Sequence, residues 1–171
     1  MEARYDIIIP HVLQTNRHKD FPTTDMPVYK LSPRAIVFLT KSIRERVLAP
    51  FAVRVNLDPD DLYFKDLFVV FYEASKGQRE LAIHQDGSLF SFNIGLTNEF
   101  VGGGTYFPNG IGNVRVNAGS CVLHDGKMSH GGAAISQVRR SLFKVSLLKY
   151  LFKGFSLDHC WVCQYNTERS K

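Results

Sequence analysis

The sequence predicts an α+β fold in which one helix near the N-terminus supports a β-sandwich or an open barrel. A single segment, which begins at Ser32, repeats apolar residues at spacings of three and four. From Leu67 onward, short apolar runs alternate with turns that contain glycine, proline or asparagine. One helix followed by many short strands is typical of a sheet-rich core that is covered on one side by the helix.

The start of the helix is predicted by Ser32 and Pro33, because serine is a good N-cap and proline suits the first helical position. Pro50 is expected to end the helix, since its ring interrupts the helical hydrogen bonds. An apolar stripe at helical spacing is expected to pack against a sheet. It consists of Ile36, Leu39, Ile43 and Val47.

The strands are predicted from runs of β-branched and aromatic residues between turn sequences. They are Leu67–Glu73, Leu81–Asp86, Ser88–Leu96, Gly103–Phe107, Asn113–Val116, Ser120–His124 and Ser141–Tyr150. Before the helix, Asp6–Val12 is expected to form an outer strand, and the polar stretch Arg17–Pro27 is expected to form a loop.

We expect residues 1–171 to form a single domain, since this length suffices for one core.

Composition and charge favour a globular protein over a nucleic-acid binder. Apolar residues make up 44% of the chain, and the formal net charge is +5. The positive residues are scattered apart from Arg17–Lys19 and Arg139–Arg140, whereas nucleic-acid binders usually carry a denser basic stripe.

No run approaches the roughly 18 apolar residues of a membrane span. The charged start is unlike a signal peptide, so we expect a cytoplasmic protein. A secretory lumen remains an alternative if the chain is a domain of a longer protein.

The three cysteines do not indicate a disulfide framework. Cys160 and Cys163 form a lone CxxC pair near the C-terminus, whereas a structural zinc site would need four ligands. We interpret the pair as two ordinary thiols, with a metal or redox role as the alternative.

The residues that indicate chemistry are His84, Asp86 and His130. Residues i and i+2 of a strand point to the same face, so His84 and Asp86 would offer an imidazole and a carboxylate side by side. His130 follows 46 residues after His84, far enough for the chain to cross the sheets and return. Two histidines and one carboxylate form the facial triad of non-haem Fe(II) oxygenases. His124 is a competing third ligand, but we prefer His130, because the neighbouring Asp125 would lie on the opposite face of a strand.

A family resemblance extends over about residues 32–150. Residues 84–96 resemble the iron-binding strand pair of the prolyl/lysyl hydroxylase class of Fe(II)/2-oxoglutarate dioxygenases. Residues 67–72 resemble the preceding strand, residues 100–107 the glycine-rich strand, and residues 119–142 the closing segment. The resemblance implies a double-stranded β-helix, or jelly roll, with iron near one open end.

The same resemblance implies roles for individual residues. His84, Asp86 and His130 would bind Fe(II), and Arg140 would pair with the distal carboxylate of 2-oxoglutarate. Tyr72 would donate a hydrogen bond to that carboxylate, and Ser91 and Asn93 would line the pocket. O₂ would be the co-substrate, and ascorbate is an optional accessory in this class.

The activity implied is hydroxylation of a peptidyl prolyl or lysyl residue, with release of succinate and CO₂. Hydroxylation rather than halogenation is expected, because related halogenases lack the carboxylate that Asp86 supplies. Arg139 is an alternative anchor, since Arg139 and Ser141 can be read as the Arg-x-Ser pair of the related class that oxidises small molecules.

Other functions remain open at this point. They are oxidation of a small molecule or free amino acid, and a catalytically silent jelly-roll binding module. A nucleic-acid demethylase of the same superfamily is disfavoured, because position 146 is serine where those enzymes carry a second arginine. A peptide or protein is the expected partner, and the oligomeric state is left open.

Overall fold

The fold is taken from a computed structural model of the chain. The structure describes residue 18 and residues 20–75, 78–149 and 161–163; for 138–149 and 161–163 it describes the backbone only. The predicted outer strand Asp6–Val12 and the cysteine Cys160 lie outside the described residues.

The predicted helix begins where expected. α1 spans Pro33–Ile43, and the Ser32 hydroxyl accepts a hydrogen bond from the Ala35 amide at 3.3 Å. The apolar stripe packs as predicted: Ile43 is buried, and its partners Ile36, Leu39 and Val47 are partly buried against the same core.

The prediction that Pro50 ends the helix is wrong. α1 continues through a five-residue π-helical turn, Arg44–Leu48, into α2, which spans Ala49–Arg54. Pro50 lies at the start of α2. Proline is tolerated there because the first amides of a helical segment have no partner within that segment.

The strands form two sheets within the described part of the chain. The strands are β1 Asp25–Pro27, β2 Leu62–Glu73, β3 Leu81–His84, β4 Phe90–Gly95, β5 Phe100–Gly102, β6 Thr105–Phe107, β7 Gly112–Val114, β8 Cys121–Asp125, β9 His130–Gly132, β10 Ile135–Lys149 and β11 Trp161–Cys163. The larger sheet has the order β1-β2-β10-β4-β8-β11, with β5 paired to β10, and the smaller sheet has the order β3-β9-β6-β7. Every strand pairing in both sheets is antiparallel.

Two differences from the predicted strands bear on the site. The stretch Arg17–Pro27, predicted as a loop, contains β1, whose residues pair with Phe68–Val70 of β2. Local sequence does not show such a strand, because its stability comes from the partner strand. In addition, β3 ends at His84, so Asp86 lies in the loop that follows.

The α+β jelly-roll fold predicted from the sequence is confirmed. The helices cover the outer face of the larger sheet, where Leu48, Phe51, Phe90 and Phe92 belong to one buried cluster. A second cluster, between the sheets, includes Phe68, Val70 and Tyr72. Among the described residues, no helix has both the length and the apolar character required to cross a membrane.

Candidate metal centre

The two candidate histidines are brought together by one pair of strands. β3 and β9 run antiparallel, and His84 lies directly opposite His130 in their register. Opposite residues of an antiparallel pair share one face of the sheet, so both side chains occupy the same side. Their ring centroids lie 4.4 Å apart. Two residues separated by 46 positions in sequence therefore become neighbours, as predicted.

Asp86 completes a group that can hold a metal ion. Its Oδ1 lies 3.4 Å from Nε2 of His84, and its Oδ2 lies 3.5 Å from Nε2 of His130. The three candidate ligand atoms all lie within 4.8 Å of one another. Two ligands that each lie roughly 2.1 Å from one divalent ion are about 3.0–3.4 Å apart. The two spacings between the carboxylate and the histidine nitrogens are close to this range.

The histidine rings are oriented for this role. Nδ1 of His84 lies 2.8 Å from the carbonyl oxygen of Ala82, and Nδ1 of His130 lies 2.9 Å from that of Met128. A carbonyl only accepts hydrogen bonds, so in each ring Nδ1 is the nitrogen that carries the proton. In the neutral imidazole, Nε2 then keeps its lone pair, and in both rings this nitrogen lies beside the carboxylate of Asp86. Metal-binding histidines are usually fixed in this way by a hydrogen bond on the other nitrogen.

The loop that carries Asp86 is held by Gly126. The Asp86 amide donates to the carbonyl of Gly126 at 2.7 Å, and the Gly126 amide donates to the carbonyl of Leu89 at 2.9 Å. The Lys65 ammonium donates to the neighbouring carbonyl of Gly87. A β-carbon on Gly126 would clash with the carbonyl group of Ser88. Only glycine therefore allows the two loops to approach this closely.

Gly126→Ala should destabilise the protein by about 1–3 kcal/mol, because the added methyl group must push the Ser88 carbonyl away. The shift should also move Asp86 and weaken metal binding. Denaturant unfolding and metal titration would measure both effects. Gly87→Ala is the matched control, since a β-carbon there meets only the end of the flexible Lys65 side chain. Equal stability of the two variants would contradict this assignment.

His124, the competing ligand, occupies a different environment. It is fully buried, and its ring contacts the ring of Phe107 edge-on at 5.4 Å and the tilted ring of His130 at 4.1 Å. Its Nδ1 lies 2.9 Å from the carbonyl oxygen of Asp125. His124 is absent from the group of candidate ligands found among the described residues. The geometry therefore favours His130, as the sequence did.

A cavity of about 240 Å³ extends from this group between the two sheets. The larger sheet contributes Phe68, Val70, Tyr72 and Asn93, and the smaller sheet contributes Leu81, Thr105 and the two histidines. Tyr72 is buried, and its hydroxyl would lie 2.7 Å from a β-carbon placed on Gly132. The Tyr72 hydroxyl thus lies next to β9, two residues along the strand from His130.

The two polar residues predicted to line the pocket differ in position. Asn93 lines the cavity, and its Nδ2 donates to the Thr105 hydroxyl at 3.1 Å. Ser91 is fully buried, with its hydroxyl 2.9 Å from that of Ser88, and it is not part of the cavity lining. Ser91 and Asn93 alternate with the buried Phe90 and Phe92 as predicted, but only Asn93 belongs to the cavity lining.

The register of β10 separates the two candidate arginines. Arg140 lies opposite Tyr72 on β2, and Arg139 lies opposite Glu73. Because directly opposite residues share a face, position 140 falls on the face to which Tyr72 belongs, and position 139 falls on the other. Tyr72 lines the cavity, whereas Glu73 does not.

Sequence reasoning missed one wall of the cavity. His18, Asp20, Phe21 and Thr23 line it from the segment that precedes β1. The sequence of this segment predicts only a loop. No local motif marks these residues, because their position depends on pairing between β1 and β2.

Solved structures with the same fold include an oxidoreductase of the 2OG-Fe(II) oxygenase family from Burkholderia pseudomallei. It aligns with a TM-score of 0.62 at 14% identity, over 86% of this chain and 78% of that one. The chain has the fold of the 2OG-Fe(II) oxygenases. AviO1 from Streptomyces viridochromogenes aligns with a TM-score of 0.58 at 16% identity, over 75% of this chain and 68% of that one.

A third structure with this fold is the viral collagen prolyl hydroxylase of Paramecium bursaria Chlorella virus 1, in complex with 2OG. Its TM-score is 0.53 at 16% identity, over 73% of this chain and 77% of that one. No protein-family model and no curated protein matches the sequence. At these identities the likeness establishes the fold, and function has to be argued from the site.

Proposed function

We propose that the protein is an Fe(II)- and 2-oxoglutarate-dependent dioxygenase that hydroxylates a peptidyl prolyl or lysyl residue. The observation that carries the proposal is the His84–Asp86–His130 group, with both Nε2 atoms facing the carboxylate and both Nδ1 atoms fixed by carbonyls. Two histidines and one carboxylate that leave positions open are typical of non-haem Fe(II) sites. When bound, the ferrous ion would support the oxidative decarboxylation of 2-oxoglutarate by O₂, which yields succinate and CO₂.

The chain's own residues would hold the co-substrate between the two sheets. 2-Oxoglutarate carries a carboxylate at each end and needs a donor at the end that is far from the metal. Tyr72 offers a hydroxyl in the cavity, and position 140 supplies an arginine opposite it in the register. A guanidinium and a phenol together would bind a carboxylate through charge-assisted hydrogen bonds. Asn93, which is also in the lining, would add an amide donor.

The remaining lining keeps water away from the reacting groups. Phe68, Val70 and Leu81 give the cavity apolar walls on both sheets. Such walls strengthen the hydrogen bonds made to the co-substrate, because the local dielectric constant is low. They also limit side reactions with water.

The size of the cavity supports a substrate that inserts one side chain. Its volume of about 240 Å³ lies below the roughly 300–1,000 Å³ of sites that enclose drug-sized ligands. Because the co-substrate would share this space, the volume favours insertion of one side chain over enclosure of a large small molecule. The viral neighbour named as a collagen prolyl hydroxylase has the same fold and supports the choice of a peptide. Prolyl and lysyl peptides would be tested side by side for succinate release.

The proposal is tested by anaerobic titration of the purified protein with Fe(II) and 2-oxoglutarate. We expect a saturable visible charge-transfer band that requires both components. Asp86→Asn should remove the band, because the amide is a much weaker ligand than the carboxylate. Asp60→Asn is the matched control, since the side chain of Asp60 is 94% exposed on the surface.

Two results would contradict the proposal. Absence of the band from a folded wild-type protein would favour the binding-module alternative. A band that persists in Asp86→Asn at unchanged affinity would place the metal elsewhere.

A further inference from the structure

We propose that Phe21 is a positioning residue of the metal centre, held against His84 by the segment that precedes β1. The inference rests on the metal-binding part of the proposed function. It is independent of 2-oxoglutarate and of the substrate.

Within the described part of the chain, His84 lies on the edge of the smaller sheet. There β3 is the outermost strand and pairs with β9 alone. Its residues Ala82 and Ile83 are exposed. The side chain of His84 is nevertheless only 8% exposed. A group outside the sheet therefore covers one side of the ring.

The cover comes from Phe21. Its ring centroid lies 4.9 Å from that of His84, with an interplanar angle of 32°. The His84 ring also contacts that of His130, with the centroids 4.4 Å apart. The His84 ring is thus in contact with two other rings, and a hydrogen bond to the Ala82 carbonyl fixes its Nδ1. The ring of His130 does not depend on Phe21, because it is buried in contact with the rings of Phe107 and His124.

Phe21 is fixed by contacts on the residues that follow it. The side-chain amide of Gln78 donates to the carbonyl of Pro22 at 2.8 Å and accepts from the Thr24 amide at 2.6 Å. This double contact ties the segment to the loop after β2. The Thr24 carbonyl also accepts from the Phe71 amide at 2.8 Å.

A buried carboxylate provides a second anchor. Asp25 is fully buried, accepts a hydrogen bond from the Thr23 hydroxyl, and lies 3.6 Å from Nε2 of His18. The His18 ring in turn packs on Phe68 at 5.0 Å. Phe21 therefore lies between His18 and the segment of residues 22–25, both of which are held by contacts, and these contacts restrict the position of its ring.

The contact between Phe21 and His84 should raise the affinity of the site for a metal ion. A ligand whose ring is held in place loses little entropy when it binds the ion, and loss of a hydrogen-bonding outer-shell partner typically costs 10–100-fold in affinity. Phe21 orients the ring by contact without a hydrogen bond, so its effect should lie at the lower end of this range. Without Phe21, the His84 ring would gain freedom and contact with water. We expect Phe21→Ala to weaken metal binding by about tenfold.

The experiment is titration of the full chain with Co(II), which reports the ligand set through its visible absorption, in the absence of 2-oxoglutarate. Phe21→Ala should raise the dissociation constant and alter the absorption bands, whereas Phe21→Tyr should restore both. Gln78→Ala, which loosens the segment without touching the metal group, should show a smaller effect in the same direction. Phe38→Ala is the matched control, because Phe38 is 68% exposed on α1.

Unchanged Co(II) affinity and spectrum in a folded Phe21→Ala variant would overturn the inference while leaving the proposed function intact. If Phe21→Ala does not fold, Gln78→Ala decides, and wild-type affinity in that variant would count against the inference. Conversely, a wild-type protein that binds Co(II) but shows no band with Fe(II) and 2-oxoglutarate would overturn the proposed function and leave the Phe21 inference standing.

Discussion

Changing His130 to alanine should abolish metal binding and activity while the protein stays folded. His130 supplies one of three ligand atoms, and its Nε2 lies 3.5 Å from Asp86. Its removal leaves two ligands, which cannot define a facial site. The loss should exceed the 10–100-fold effect that is typical of outer-shell partners. Co(II) titration and succinate release measure the two effects, and circular dichroism checks the fold.

The informative control is His124→Leu, which removes both ring nitrogens and keeps most of the buried volume. We expect a metal affinity close to that of the wild type, because His124 packs against the ring of His130 and does not belong to the ligand group. Its lost hydrogen bond to the Asp125 carbonyl should cost about 0.5–1.5 kcal/mol of stability, since that carbonyl still accepts from the Met128 amide. If His124→Leu loses the metal while His130→Ala keeps it, the assignment of the third ligand is wrong.

The metal group was predictable from sequence because its geometry depends on simple rules. The spacing of His84 and Asp86 predicts two ligands side by side on a strand. Asp86 lies just beyond the end of β3, where its hydrogen bond to Gly126 keeps it beside His84. His130 was harder to assign, since His124 lies only six residues away. The register between β3 and β9 decides between them, and a register is a property of two strands that no single segment encodes.

The wall formed by His18 and Phe21 was not predictable for a related reason. Neither residue belongs to a periodic pattern, and both are placed by long-range contacts to Gln78 and β2. A short edge strand such as Asp25–Pro27 contributes too few residues for alternation to be visible. Its position becomes evident only when its partner strand is known.

Pro50 shows where a local rule was overridden by packing. Proline predicts the end of a helix, yet the neighbouring Leu48 and Phe51 are both buried against the larger sheet. The π-helical turn before Pro50 restarts the hydrogen-bond pattern, so the proline falls where an amide donor is not needed. The helical segment and its apolar face thus continue beyond the residue at which helix propensity alone predicts an end.

Changing Arg140 to alanine should raise the 2-oxoglutarate concentration needed for half-saturation by about 10–100-fold. A hydrogen bond between charged groups contributes roughly 1.5–3 kcal/mol, and each 1.4 kcal/mol corresponds to a factor of ten. The affinity for Co(II) alone should stay unchanged, because Arg140 is not a ligand. The charge-transfer band at increasing 2-oxoglutarate, with Fe(II) held in excess, measures the effect.

Arg139→Ala is the matched control, since it removes the same charge one residue away. The register places Arg139 opposite Glu73, outside the cavity lining, so its loss should change the half-saturation point little. If Arg139→Ala produced the large shift instead, the last long strand would be displaced by one residue relative to β2. A displacement of one residue exchanges the two faces of a strand. The arginine pair therefore tests the register on which the placement of the co-substrate depends.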